Sequence, residues 1–163
     1  MVEVARAAGV SRQGLYLHFP TKEQLFRAAI HHAVEAGLAA ASTRAHDAAA
    51  SIEDRLCGMF DEWTGRYVGM VGDSVTDLHE ATRLFGGELL AETEARFLEI
   101  VLKVIRGSRL PAAYKSSGLS ARELAELLQA TARGLKTLCT TRAEFVERFT
   151  VAGRVMCQPL RGE

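Results

Sequence analysis

The sequence is short of cysteine, proline and tryptophan and carries no net charge, and each shortage excludes something. Its three cysteines, Cys57, Cys139 and Cys157, are odd in number and form no CxxC pair, which argues against a disulfide framework and against a zinc site. They are expected to be free thiols. No run approaches about 18 consecutive apolar residues, and no basic leader followed by an apolar stretch opens the chain, so neither a membrane span nor a secretory signal is read and a cytoplasmic protein is expected. Lysine plus arginine and aspartate plus glutamate are 20 each; no overall basic balance announces nucleic acid, and any such function has to be local. Catalytic signatures are missing as well: there is no GxSxG, P-loop, GxGxxG or HExxH, and neither an enzyme nor a cofactor is expected.

What is present is apolar residues at helical spacing. A chain of 163 residues, 48% of them apolar, can bury a substantial core. Pro20, Pro111 and Pro159 sit where helical patterns break and convincing period-2 strands are absent, so the fold class is all-α. Met1 to Ala8 reads as a short helix closed by Gly9. Ser11 caps a second one ending near Phe19, with Leu15 and Phe19 facing inward and Val10 plugging the small core between the two. Thr21 restarts the chain after Pro20 as a third helix, which carries Leu25, Ala29, Ala33 and Gly37 on one face and runs to Ala41 or beyond. Ser51 opens a helix with Leu56, Met59, Phe60, Trp63, Tyr67 and Met70 at helical spacing. A helical segment from Val75 is expected to stop at Gly86 and Gly87, and another to run from Glu88 to near Gly107. Ser120 with Glu123, and Thr141 with Glu144, are capping signals for two final helices. Their seams, Leu124, Leu127, Leu128, Thr131, Leu135 and Leu138 on one and Phe145, Phe149, Ala152 and Met156 on the other, suit a four-helix dimer bundle, with internal core as the alternative.

The densest signal lies at the start. Residues 1–30 hold four basic residues against two acidic, whereas 51–110 hold seven against eleven. The run Val4-Ala5-Arg6-Ala7-Ala8-Gly9-Val10-Ser11, then Tyr16-Leu17-His18-Phe19, then Lys22-Glu23-Gln24-Leu25, resembles the helix-turn-helix of tetracycline-repressor-like (TetR family) transcriptional regulators. The resemblance implies a repressor released from double-stranded operator DNA by a small-molecule effector. It implies a helix-turn-helix domain over residues 1–45, a ligand-sensing and dimerising helical bundle over 46–163, and a homodimer formed through the last two long helices. It places the DNA contacts on Ser11, Arg12, Gln13, Gly14, Tyr16, His18 and Lys22. Ser11 puts a hydroxyl and helix N-terminal amides where a phosphate can sit. Arg12, Gln13 and Gly14 open the recognition helix, where Arg can pair with guanine and Gln with adenine. Tyr16, His18 and Lys22 hold phosphates by resemblance. Gly14 costs a helix about 1 kcal/mol relative to Ala, which close approach to DNA would explain. In the family a further helix precedes the motif; here Met1 falls in the first turn of the motif's first helix, so that helix is expected to be missing and Met1, Val4, Leu15 and Phe26 to lose cover. With few phosphates neutralised, DNA affinity is expected to be modest and salt-sensitive. A helical ligand-binding dimer without competent DNA binding is the alternative.

The resemblance also implies an effector pocket after Ser51. Met59, Trp63 and Tyr67 at i, i+4 and i+8 form a stripe that can line it, with His79, Phe85 and Phe97 near it; ordinary core is the competing reading. Asp61, Glu62, Asp73, Asp77 and Glu80 read as a solvated face rather than a cation site. His31, His32 and Glu35 share a helix at metal-ligand spacing, but no third ligand is evident and no metal site is expected.

Overall fold

The computed structural model describes residues 1–69 and 75–160, with side chains for 1–69 and 87–160. Among the described residues there are eight α-helices and no strand: α1 (Val2–Ala7), α2 (Arg12–His18), α3 (Lys22–Ala45), α4 (Ile52–Trp63), α5 (Val75–Arg106), α6 (Leu110–Ala113), α7 (Ala121–Leu138) and α8 (Arg142–Cys157). None of the described helices is long and apolar enough to cross a membrane.

Side-chain oxygens start these helices by satisfying amides that lack an intrahelical partner. Ser11 Oγ accepts from the Gly14 N–H (2.9 Å), Thr21 Oγ1 from Gln24 (3.1 Å), Ser51 Oγ from Asp54 (3.1 Å) and Thr141 Oγ1 from Glu144 (3.2 Å). At α7 the exchange is reciprocal: Ser120 Oγ accepts from the Glu123 N–H at 3.2 Å, and Glu123 Oε2 accepts from the Ser120 N–H at 2.8 Å. Ser120→Ala should therefore lower the unfolding free energy by about 1 kcal/mol in urea titration. Unchanged stability would mean that packing alone holds the start of α7. At the other end of α3 the Arg55 guanidinium donates through Nε (2.9 Å) and Nη2 to the Ala45 carbonyl and so closes the turn into α4.

Helices α3, α4, α5, α7 and α8 enclose the core, with α3 against α4 and α5, α4 against α8, and α7 against α5 and α8. Its centre is a chain of aromatic rings. Phe60 meets Phe97 edge-on with centroids 5.0 Å apart and Phe149 at 4.7 Å; Trp63 stacks on Phe97 (5.0 Å) and Phe145 on Phe149 (5.6 Å). Full burial of each such ring is worth about 1.5–3 kcal/mol.

The structure departs from several expectations. Helix α5 runs unbroken through Gly86 and Gly87. Each glycine costs about 1 kcal/mol of propensity, less than the helix recovers by burying Phe97, Val101, Leu102, Val104 and Ile105. Helix α4 stops at Trp63, and Gly65–Tyr67 forms a 3-10 turn, so Tyr67 leaves the helical row. The turn is closely packed: a Cβ on Gly65 would fall 2.6 Å from Asp61 Oδ1 and 2.8 Å from Phe145 Cδ1, and one on Gly69, at φ +74°, only 2.5 Å from the Thr140 carbonyl oxygen. Met70, at the end of that expected row, lies outside the described residues. On α3 the buried face is Val34, Gly37, Leu38, Ala41 and Ala45, while Ala29 is exposed and Leu25 half-buried, because the first turns of this helix stand clear of the core. Val10 does not plug the space between α1 and α2; it is 48% exposed, for two such short helices enclose only Ala5 and Leu15.

Candidate nucleic-acid interface and internal cavity

Helix α1 ends in a turn at Gly9, whose φ of +67° an L side chain rarely adopts. The Gly9 N–H donates to the Arg6 carbonyl (3.2 Å) and the Val10 N–H to the Ala5 carbonyl (3.0 Å), and Ser11 then starts α2 in a new direction. Ala5 and Leu15 are both buried, which leaves Arg12, Gln13, Tyr16 and Leu17 outward. The Arg12 guanidinium lies 5.6 Å from the Tyr16 ring centroid, a cation–π contact that gathers the two exposed side chains into one patch.

Of the expected contacts, Ser11, Arg12, Gln13, Tyr16, His18 and Lys22 are exposed, and Gly14 is half-buried. Ser11 Oγ is occupied as an acceptor by the Gly14 amide, and its own proton is left for a phosphate. A Cβ on Gly14 would come within 3.0 Å of that oxygen, so the glycine makes room for the cap as well as for a close approach. Leu17 was missed. It is 77% exposed, one turn after Gln13 on the same outward side of α2. Its signal was an apolar residue standing off the Leu15–Phe19 face.

Two short helices joined by a left-handed turn, the second presenting Arg, Gln and Tyr from its first turns, define the helix-turn-helix of a DNA-binding transcriptional regulator. Residues 1–29 match the family model described as bacterial regulatory proteins, tetR family. Neither curated proteins nor solved structures gave a match.

The residues expected around an effector separate. Met59 and Phe97 are fully buried in the aromatic core. His79 and Phe85 lie outside the residues whose side chains are described. Trp63 and Tyr67 line a cavity of about 140 Å³. Its other walls are Val34 of α3, Thr64, Leu90 and Glu94 of α5, and Gln129, Arg133 and Lys136 of α7. Tyr67 Oη donates to the Ala33 carbonyl of α3 at 2.8 Å. Gly37, one turn on, allows this approach, for a Cβ there would stand 3.3 Å from Tyr67 Oη and 3.5 Å from Trp63 Cε3. Arg133 and Glu94 pair at 2.5 Å, and the Lys136 ammonium lies 6.0 Å from the Tyr67 ring centroid. Lys136 is exposed as a residue, yet burial of its ammonium end lowers its pKa, opposed by the Glu94 carboxylate. Sequence reasoning missed Val34, Gln129, Arg133 and Lys136, because only tertiary packing brings them beside Trp63.

A larger hollow of about 640 Å³ between α3 and α5 is bridged by Arg96, which pairs through both Nη atoms with the Glu35 carboxylate. It has no aromatic wall. Among the described residues no group of three or more His, Cys, Asp or Glu is placed to hold a metal. Burial pushes the Cys57 thiol up to about 11 and raises that of Cys139, so neither offers a thiolate near neutral pH.

The Tyr67 tie is testable. Tyr67→Phe removes the donor to Ala33 and should cost about 1 kcal/mol in thermal unfolding, with faster amide exchange along the adjoining turn of α3. An unchanged melting curve and exchange pattern would mean that the hydroxyl carries no tension between α3 and the cavity.

Proposed function

We propose that the protein is a homodimeric repressor that holds double-stranded operator DNA through α2 and releases it when a small molecule enters the cavity beside Trp63 and Tyr67. The observation that carries this reading is the continuity of α3. One helix runs from Lys22, next to the DNA-facing patch, to Ala45, and Tyr67 and Trp63 grip it at Ala33 and Gly37 along the cavity wall. A ligand that displaces Tyr67 acts on the same rod that carries Lys22. The effector has to bind one setting of that rod better than the other for the coupling to exist. Trp63 and Tyr67 meet the ligand directly, and Met59 and Phe97 back them from the core. On this reading residues 1–45 recognise DNA and 46–163 sense the effector and dimerise.

Dimerisation is supported by apolar side chains left outside on the last two long helices. Leu127 and Leu138 of α7 and Val151 and Val155 of α8 are 55–66% exposed. Paired across a two-fold axis, these helices give a four-helix bundle, which has to present the two copies of α2 about 34–36 Å apart to meet successive major grooves. The test is a polarisation titration of labelled duplex DNA in rising salt. Affinity should fall linearly on logarithmic axes, and Lys22→Ala should flatten the slope by about one. Binding indifferent to salt would contradict a phosphate-holding interface.

A further inference from the structure

We propose that the cavity beside Trp63 takes a small planar carboxylate, an aromatic acid of about one ring, with Lys136 as its counter-charge. This deepens the effector reading above and rests on it. Size sets the first limit: the cavity is about 140 Å³, and a protein cavity of roughly 150 Å³ accepts a single benzene-sized ring. Shape sets the second. Trp63 is held nearly parallel to Phe97, 13° between planes at 5.0 Å, and so forms a fixed flat wall that favours a planar guest.

Charge decides the class. Three charged side chains reach the cavity, Glu94, Arg133 and Lys136. Glu94 and Arg133 neutralise one another at 2.5 Å. The Lys136 ammonium has no ion-pair partner among the described residues and rests over the Tyr67 ring, a weaker substitute for an anion. The charged side chains that line the cavity therefore sum to one positive charge beside an aromatic wall, the single Glu94 carboxylate facing both Arg133 and Lys136. A carboxylate would complete it with a charge-assisted hydrogen bond, the Gln129 amide being a further donor on the same wall. A neutral guest would leave the ammonium as it is, and a cationic one would be repelled.

Trp63 is the only tryptophan in the chain, so its emission reports occupancy directly. The full chain is titrated with benzoate, benzamide and benzylamine. Benzoate should shift Trp63 emission saturably and bind at least about tenfold tighter than benzamide, with benzylamine weakest. Lys136→Met, which keeps the apolar stem, should abolish the preference for benzoate, and Lys136→Arg, which keeps the charge, should retain it. Equal affinity for benzoate and benzamide, or a preference that survives Lys136→Met, would overturn the anion assignment and leave the cavity a ligand site of another class. Silence of Trp63 toward all three would overturn the proposal and the effector cavity with it. Duplex binding by the ligand-free protein is measured separately and is untouched by either result.

Discussion

Phe60→Ala should cost about 3–5 kcal/mol of unfolding free energy. Phe60 exposes no surface and sits where two aromatic contacts cross, edge-on to Phe97 and tilted against Phe149. Each of those rings is held from its far side, Phe97 by Trp63 and Phe149 by Phe145, so the neighbours have little freedom to collapse into the void. The loss is a large part of the roughly 5–15 kcal/mol that holds a domain together. Urea unfolding followed by Trp63 emission and by circular dichroism measures it, and a cost below about 1 kcal/mol would contradict the packing described. Ala5 and Leu15 do not belong to this cluster, so the amide exchange of α2 should be far less affected than that of α4 and α5.

Gln13→Ala should reorder the duplexes that the protein prefers, whereas Lys22→Ala and Tyr16→Phe should weaken all duplexes alike. Gln13 is exposed in the first turn of α2, where a side chain reaches base edges, and a lost bidentate contact removes about 1–3 kcal/mol of discrimination at one position. Lys22 opens α3 and contributes a point charge that a phosphate of any sequence satisfies. Tyr16→Phe keeps the ring beneath the Arg12 guanidinium and removes only the hydroxyl. Enrichment from a randomised duplex pool, followed by titration of the selected sequences, separates the two classes. If Gln13→Ala left the ranking untouched, base reading would have to lie elsewhere on α2, with Leu17 the first place to look.

What the sequence made legible is what neighbouring residues decide between themselves. Gly9, the caps at Ser11, Thr21, Ser51, Ser120 and Thr141, and the exposure of Arg12, Gln13 and Tyr16 all follow from residues within a turn of each other. Features set by distant segments were read less well. Gly65 and Gly69 give room to Phe145 and Thr140, far along the chain, just past the end of α4, where periodicity continued the helix. Tyr67 consequently reaches the cavity by a 3-10 turn and not along a helical stripe. Gly86 and Gly87 show the reverse, a local break signal overridden by the packed face of α5. The cavity was the least legible part, since its walls come from four helices and its charge from Lys136, an unremarkable polar position in the pattern of α7.

The most direct test of the account is the affinity ratio between a duplex enriched from a random pool and a scrambled duplex of equal length and composition, each titrated with the full chain at physiological salt. Reading of base edges by α2 predicts that the enriched duplex binds at least about a thousandfold tighter. Equal affinity for the two would contradict sequence-specific recognition, and with it the role of the chain as a regulator acting at an operator.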